Sequence, residues 1–129
     1  MNQPQNRKKI LIVEDDDQLR SSLADGLALY GYVVLEASDG EKAVQITVDS
    51  TPDLILLDLL LPKLDGFKVL ERVRHYPKTD IAETKVVILS NLWSNKDILT
   101  AQALKIDEYY VKANTELKDV FQKVHSLLV

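Results

Sequence analysis

The sequence predicts a doubly wound α/β domain, a five-stranded parallel sheet of order 2-1-3-4-5 with helices on both faces. Three apolar runs, Ile10 to Val13, Leu54 to Leu57 and Val86 to Leu89, are short, continuous and bounded by polar residues. Runs of that kind read as strands buried on both faces. Between them lie stretches whose apolar residues recur every three or four positions. Strict alternation of strand and helix makes a parallel sheet, because each crossover is right-handed and covers one face.

Each element follows in chain order. Residues 1–7 are polar, rich in Asn and Gln and without periodicity, and read as a flexible leader; residues 8–129 form the domain. The first strand, Ile10 to Val13, runs into the acidic stretch Glu14 to Asp17. Leu19, Leu23 and Leu27 then mark one face of a helix. Tyr32 to Leu35 is a more amphipathic run, as expected of an edge strand. Ser38 followed by Glu41 is a capping-box pattern and predicts a helix start there; Ser94 with Asp97 is a weaker version. After the third strand, Phe67, Leu70 and Val73 mark a helix behind Asp65-Gly66. Tyr109 to Val111 is the second edge strand. Leu117, Val120, Phe121, Val124, Leu127 and Leu128 form the apolar stripe of the last helix.

Bulk properties narrow the function. A chain of 129 residues suits one core, and 46% apolar with 28% charged residues is a folding composition. The net charge of −4 argues against direct contact with nucleic acid, which calls for a basic face. With no cysteine there is no disulfide, thiolate zinc site or thiol nucleophile, in keeping with a cytoplasmic setting. The apolar run after Arg7-Lys8-Lys9 stops too soon for an export signal, and nothing in the sequence spans a membrane.

Open α/β sheets bind their ligands where the strands end, near the point at which strand order reverses. There the first strand delivers Glu14 and Asp15, the third Asp58, the fourth Ser90 and the fifth Lys112. In the order 2-1-3-4-5 the first and third strands are neighbours, about 4.8 Å apart, so three carboxylates crowd one pocket. Like charges that close need a proton or a cation. Oxygen ligands without His or Cys suit magnesium, which keeps waters and accepts phosphate oxygens. Phosphoryl transfer is the chemistry this points to. Asp16 and Asp17 fit the plainer role of capping a helix N-terminus. Asp58 does not, because it ends a buried run and is followed by Leu59-Leu60-Leu61. Ser90 or Lys112 alone would read as a strand-end hydroxyl and a surface charge.

Ile10 to Asp16, Pro52 to Asp58, Pro62 to Gly66, and Asp107 to Lys112, in this order and spacing, resemble the receiver domain of two-component response regulators over nearly the whole chain. The resemblance implies a flavodoxin-like (βα)5 fold and a phosphoacceptor switch. Asp58 would take a phosphoryl group from a histidine kinase, a phosphotransfer protein or a small phosphodonor. Asp15 would bind magnesium directly and Glu14 through water, with Asp58 and the Leu60 backbone carbonyl as further ligands. Lys112 would neutralise charge on the phosphoryl oxygens. Ser90 would move to donate to the phosphoryl group, and Tyr109 would be the switch aromatic that turns inward with it. As no effector segment follows Val129, output is expected through a downstream protein or a self-dimer on the face of the fourth helix, fifth strand and fifth helix.

The sequence also departs from the family pattern. Ala113 follows Lys112 where the family usually has Pro, often through a cis peptide, and Asn91 stands where Ala or Gly commonly follows the hydroxyl residue. Lys105-Ile106 replace a common Gly-Ala pair. Leu60 and Leu92 are apolar where polar side chains in relatives orient hydrolytic water, which predicts slow self-dephosphorylation. Three other readings are weaker. A haloacid dehalogenase type phosphohydrolase needs an acid/base Asp where Leu60 stands, so no enzyme acting on other substrates is expected. A flavodoxin needs a phosphate loop where Glu14 to Asp17 would repel phosphate. The third reading is a degenerate receiver that binds protein without phosphorylation.

Overall fold

A computed structural model of the chain describes residues 7–129, so all but the last residue of the expected leader lies outside the described residues. Five strands, β1 (Lys9–Val13), β2 (Val33–Ala37), β3 (Leu54–Leu57), β4 (Lys85–Ser90) and β5 (Glu108–Val111), form one sheet of order β2-β1-β3-β4-β5. Every neighbouring pair is parallel. The helices are α1 (Asp17–Ala28), α2 (Gly40–Ser50), α3 (Gly66–Arg74), α4 (Asn95–Ala103) and α5 (Leu117–Leu128). A one-turn helix, Thr79–Ala82, precedes β4, and a 3-10 turn, Lys112–Asn114, follows β5.

Alternation along the strands divides the core in two. Leu11, Val13, Ile55, Leu57, Val86 and Ile88 pack with Ala43, Val69, Leu70 and Ala101 on the face of α2, α3 and α4. Ile10, Ile12, Leu54, Leu56, Val87 and Leu89 pack with Leu23, Leu27, Val120 and Val124 on the face of α1 and α5. This two-sided burial is why the central runs carry no polar residue. At the second face α1 and α5 meet closely, since a Cβ on Gly26 would lie 2.2 Å from the Phe121 ring.

Two sequence expectations need correction. β2 runs Val33–Ala37 and not Tyr32 to Leu35, because its extent is fixed by pairing with β1 from Lys9↔Val33 to Val13↔Ala37. The α2 N-cap is Asp39 and not Ser38: its Oδ1 accepts from Lys42 N at 2.8 Å. That start also puts Gly40 under the loop after β3, where a Cβ would lie 1.7 Å from the Leu64 carbonyl oxygen. The Ser94 cap stands as expected, its Oγ accepting from Asp97 N at 3.1 Å.

The replacement of the usual Gly by Lys105 has a backbone consequence. Lys105 sits at φ +64°, in the left-handed region that favours glycine. That conformation costs a non-glycine residue about 1–2 kcal/mol, and glycine gives back about 0.4–1 kcal/mol of unfolded-chain entropy. Lys105→Gly is therefore expected to raise the unfolding free energy by about 0.5–1 kcal/mol, read as a higher urea midpoint at unchanged slope.

Candidate functional site

The site is built at the C-terminal ends of β1, β3, β4 and β5. Val13 pairs with Leu57, and backbone bonds continue the ladders one residue further: Asp58 N donates to Val13 O at 3.1 Å and Glu14 N to Ala37 O at 3.0 Å. Glu14 and Asp58 are thereby fixed by main chain and buried, at 2% and 3% exposure, while Asp15 is exposed. One carboxylate oxygen from each of the three lies within 4.8 Å of the others. The predicted crowding of carboxylates is present.

Lys112 answers it from the turn that follows β5. Its Nζ lies 2.7 Å from Asp58 Oδ2 and 2.8 Å from Glu14 Oε1. The resemblance pairs the lysine with the phosphoacceptor; the structure adds the bridge to Glu14. The remaining oxygens accept from backbone, Asp58 Oδ1 from Leu60 N and Glu14 Oε2 from Asp16 N, each at 3.1 Å. Burial pushes the Glu14 carboxyl above the usual carboxylate range, against the pull of the Lys112 hydrogen bond. Burial also pulls Lys112 down, but its hydrogen bonds to Asp58 and Glu14 outweigh this and hold the ammonium above its ordinary value. One ammonium against three carboxylates leaves a surplus of two negative charges when all are ionised. An all-oxygen donor set with that surplus fits a hard divalent cation such as magnesium.

The remaining predicted residues surround this group. Ser90 is fully buried, and its Oγ accepts from Leu92 N at 3.3 Å, so the hydroxyl is engaged within its own loop. Tyr109 is half-buried against the core of α2, α3 and α4, and its hydroxyl donates to Leu92 O at 2.6 Å. The ring is thus already turned inward. Burial raises its phenol above the ordinary value. Asp16 is the N-cap of α1, accepting from Gln18 N and Leu19 N, as its plainer reading expected. Leu60 is 51% exposed, and Leu92, in the loop after β4, is half-buried. Among the described residues no peptide is cis, Lys112–Ala113 included.

Two positioning residues were missed at the level of sequence. Arg20 donates through Nη1 to Glu14 O at 2.9 Å, and pairs with Asp17 at 2.7 Å and Glu36 at 3.3 Å, so it steadies the acidic loop. The three-residue spacing of Asp17 and Arg20 carried a signal for the first pair only. Gly66 lets the chain pass close to Asp58, since a Cβ there would lie 2.3 Å from the Asp58 carbonyl oxygen.

Comparison with known proteins agrees with this arrangement. The model of the response regulator receiver domain matches residues 10–125. The "Probable transcriptional regulator ycf27" of Cyanophora paradoxa is 37% identical over 123 residues, covering 95% of this chain and 49% of that protein. The "DNA-binding dual master transcriptional regulator RpaA" of Synechocystis is 35% identical over 120 residues, covering 93% of this chain and 48% of the regulator. The chain thus spans about half the length of the curated relatives it matches. Among solved structures, the Francisella response regulator 1452 receiver domain superposes with a TM-score of 0.83 at 25% identity, over 94% of this chain and 96% of that one. The CheY-like receiver domain protein of Methanospirillum hungatei superposes with a TM-score of 0.86 at 24% identity, over 95% of this chain and 94% of that one, a likeness of fold. Among the described residues no helix is long and apolar enough to cross a membrane. With its motifs in order, its strand order and its acidic group at the sheet edge, the chain belongs to the response regulator receiver domain family.

Proposed function

We propose that the chain is a phosphoacceptor switch in which Asp58 is phosphorylated, and in which Asp15, Asp58, Glu14 and the Leu60 carbonyl would hold magnesium. The observation that carries this is the Lys112 ammonium set 2.7 Å from a buried Asp58 carboxylate inside an acidic group. A lone structural ion pair would not need two further acids beside it. When bound, the ion neutralises charge on the phosphoryl oxygens. An Asp58 oxygen forms the new bond to phosphorus. The donor's P–N bond to a kinase or phosphotransfer histidine breaks, its electron pair returning to the imidazole, which takes up a proton. Lys112 stays beside the acceptor, where negative charge builds. Signalling then follows from movement of Ser90 toward the phosphoryl group, a shift between two existing arrangements.

Leu60 supports a switch over a hydrolase, because no acid/base group stands two residues beyond Asp58. The net charge of −4 supports protein partners, on the face of α4, β5 and α5, over direct contact of this chain with nucleic acid. The absence of cysteine and of a long apolar helix among the described residues is in keeping with a cytoplasmic setting.

The test is intact-mass analysis of wild type and Asp58→Asn after acetyl phosphate treatment, with magnesium and with chelator. The expected result is one phosphoryl gained by wild type in magnesium, and none by the variant or in chelator. No gain under any condition would move the reading to a degenerate receiver that binds partners without phosphorylation.

The apolar rim adds a second expectation. With Leu60 half-exposed and Leu92 half-buried, neither of these apolar side chains positions water against the acyl phosphate, so hydrolysis is slow. Leu60→Asn should shorten the phosphoryl lifetime about three- to tenfold, the worth of one hydrogen bond to water. A wild-type lifetime of seconds, followed by loss of the added mass, would overturn this.

A further inference from the structure

The two departures from the family pattern that flank the site are bonded to each other. Ala113 N donates to Asn91 Oδ1 at 3.2 Å, between residues 22 apart in sequence. The bond requires both departures at once, since proline at 113 has no N–H to give and alanine or glycine at 91 has no acceptor. The donor also needs an external partner, because Ala113 lies in the Lys112–Asn114 turn, whose first N–H groups have none within the turn.

This bond ties the loop carrying Ser90 and Leu92 to the turn that begins at Lys112. The same loop is held at two further points, with Leu92 N on Ser90 Oγ at 3.3 Å and the Tyr109 hydroxyl on Leu92 O at 2.6 Å. An advance of the Ser90 backbone toward Asp58 therefore carries its neighbours Asn91 and Leu92 with it. Both ends of the tie are exposed, so water can replace it and it can open.

We propose that Asn91 is a positioning residue whose bond to Ala113 latches the Ser90 loop to the lysine turn. The latch opens as Ser90 moves toward the phosphoryl group on Asp58, and it sets the rate of phosphorylation. This rests on the phosphoacceptor reading of Asp58.

The test compares Asn91→Leu, which keeps the bulk and removes the acceptor, with Asn91→Ala, which removes both. Acetyl phosphate is the donor: the new bond joins an Asp58 oxygen to phosphorus, the donor's P–O bond breaks, and acetate leaves with the electron pair. If the latch operates, both variants phosphorylate about three- to tenfold faster, and amide exchange at Ala113 and Leu92 in the unphosphorylated chain speeds up by a similar factor. A purely structural role would lower the denaturation midpoint without raising the rate. Acceleration confined to Asn91→Ala means the side chain only blocks access, and it overturns the latch, as do unchanged rates in both variants. If wild type takes up no phosphoryl group, the phosphoacceptor reading fails separately. Amide exchange then decides the latch alone, and unchanged exchange at Ala113 and Leu92 in Asn91→Leu overturns it.

Discussion

Lys112→Ala is expected to slow phosphorylation of Asp58 about 10²- to 10³-fold, the loss that follows removal of one preorganised donor from a site of developing charge. The lysine Nζ sits 2.7 Å from Asp58 and 2.8 Å from Glu14, in a pocket where both acids are almost fully buried. Its charge is therefore little screened by water, and its geometry needs no reorganisation when the phosphoryl group arrives. The same substitution should have the opposite effect on the cation. Without the ammonium, the acidic group loses the charge that bridges Glu14 and Asp58, and magnesium should bind more tightly. Slower transfer with tighter magnesium is a pairing that unfolding cannot produce. Lys112→Arg restores charge but replaces a point donor shared by two carboxylates with a planar fork, so it should rescue only part of the rate. The measurement is the rate of mass gain at saturating magnesium, beside a magnesium titration followed by amide chemical shifts. A rate within about threefold of wild type would show that Lys112 is a structural ion pair.

Much of this arrangement was legible in the sequence because it depends on strand ends. A continuous apolar run has one physical reading in a doubly wound sheet, so Leu54 to Leu57 marks β3 to the residue and makes Asp58 the first group at the edge. Strand order then puts Asp58 beside Glu14 and Asp15, and the fifth strand's end supplies Lys112. Legibility fails where a boundary is decided by a neighbour. The extent of β2 is set by β1, and the α2 cap by the close approach of the loop after β3 to Gly40. It fails again where a side chain serves distant backbone. No local pattern announces that Arg20 holds the Glu14 carbonyl, or that Asn91 meets Ala113. Both departures were visible as single changes; their pairing needed the folded chain.

Arg74 is the extreme case of such a residue, and Arg74→Met is expected to lower the unfolding free energy by about 2–4 kcal/mol. From the last residue of α3, its guanidinium donates to four carbonyls: Leu104 at 2.7 Å, Thr84 at 2.8 Å, and Ala82 and Lys105 at 2.9 Å. These belong to the segment leading into β4 and the turn leading into β5, so one side chain joins three stretches of chain at the N-terminal edge of the sheet. Burial pulls the guanidinium below its ordinary value, although Asp107 pulls the other way; it remains charged, as arginine does at any working pH. Hydrogen bonds from a charged donor are worth about 1.5–3 kcal/mol each when buried. The full sum is not expected, because a groove of about 520 Å³ opens beside Arg74 and lets water reach the abandoned carbonyls. Arg74→Lys should recover less than half, since an ammonium cannot reach all four acceptors from one point. Asp58 lies at the other end of the strands, so folded Arg74→Met should still gain one phosphoryl group per chain. A fallen urea midpoint with unchanged stoichiometry would place Arg74 in the frame of the sheet alone, whereas lost stoichiometry in a folded variant would mean that the two edges of the sheet are coupled.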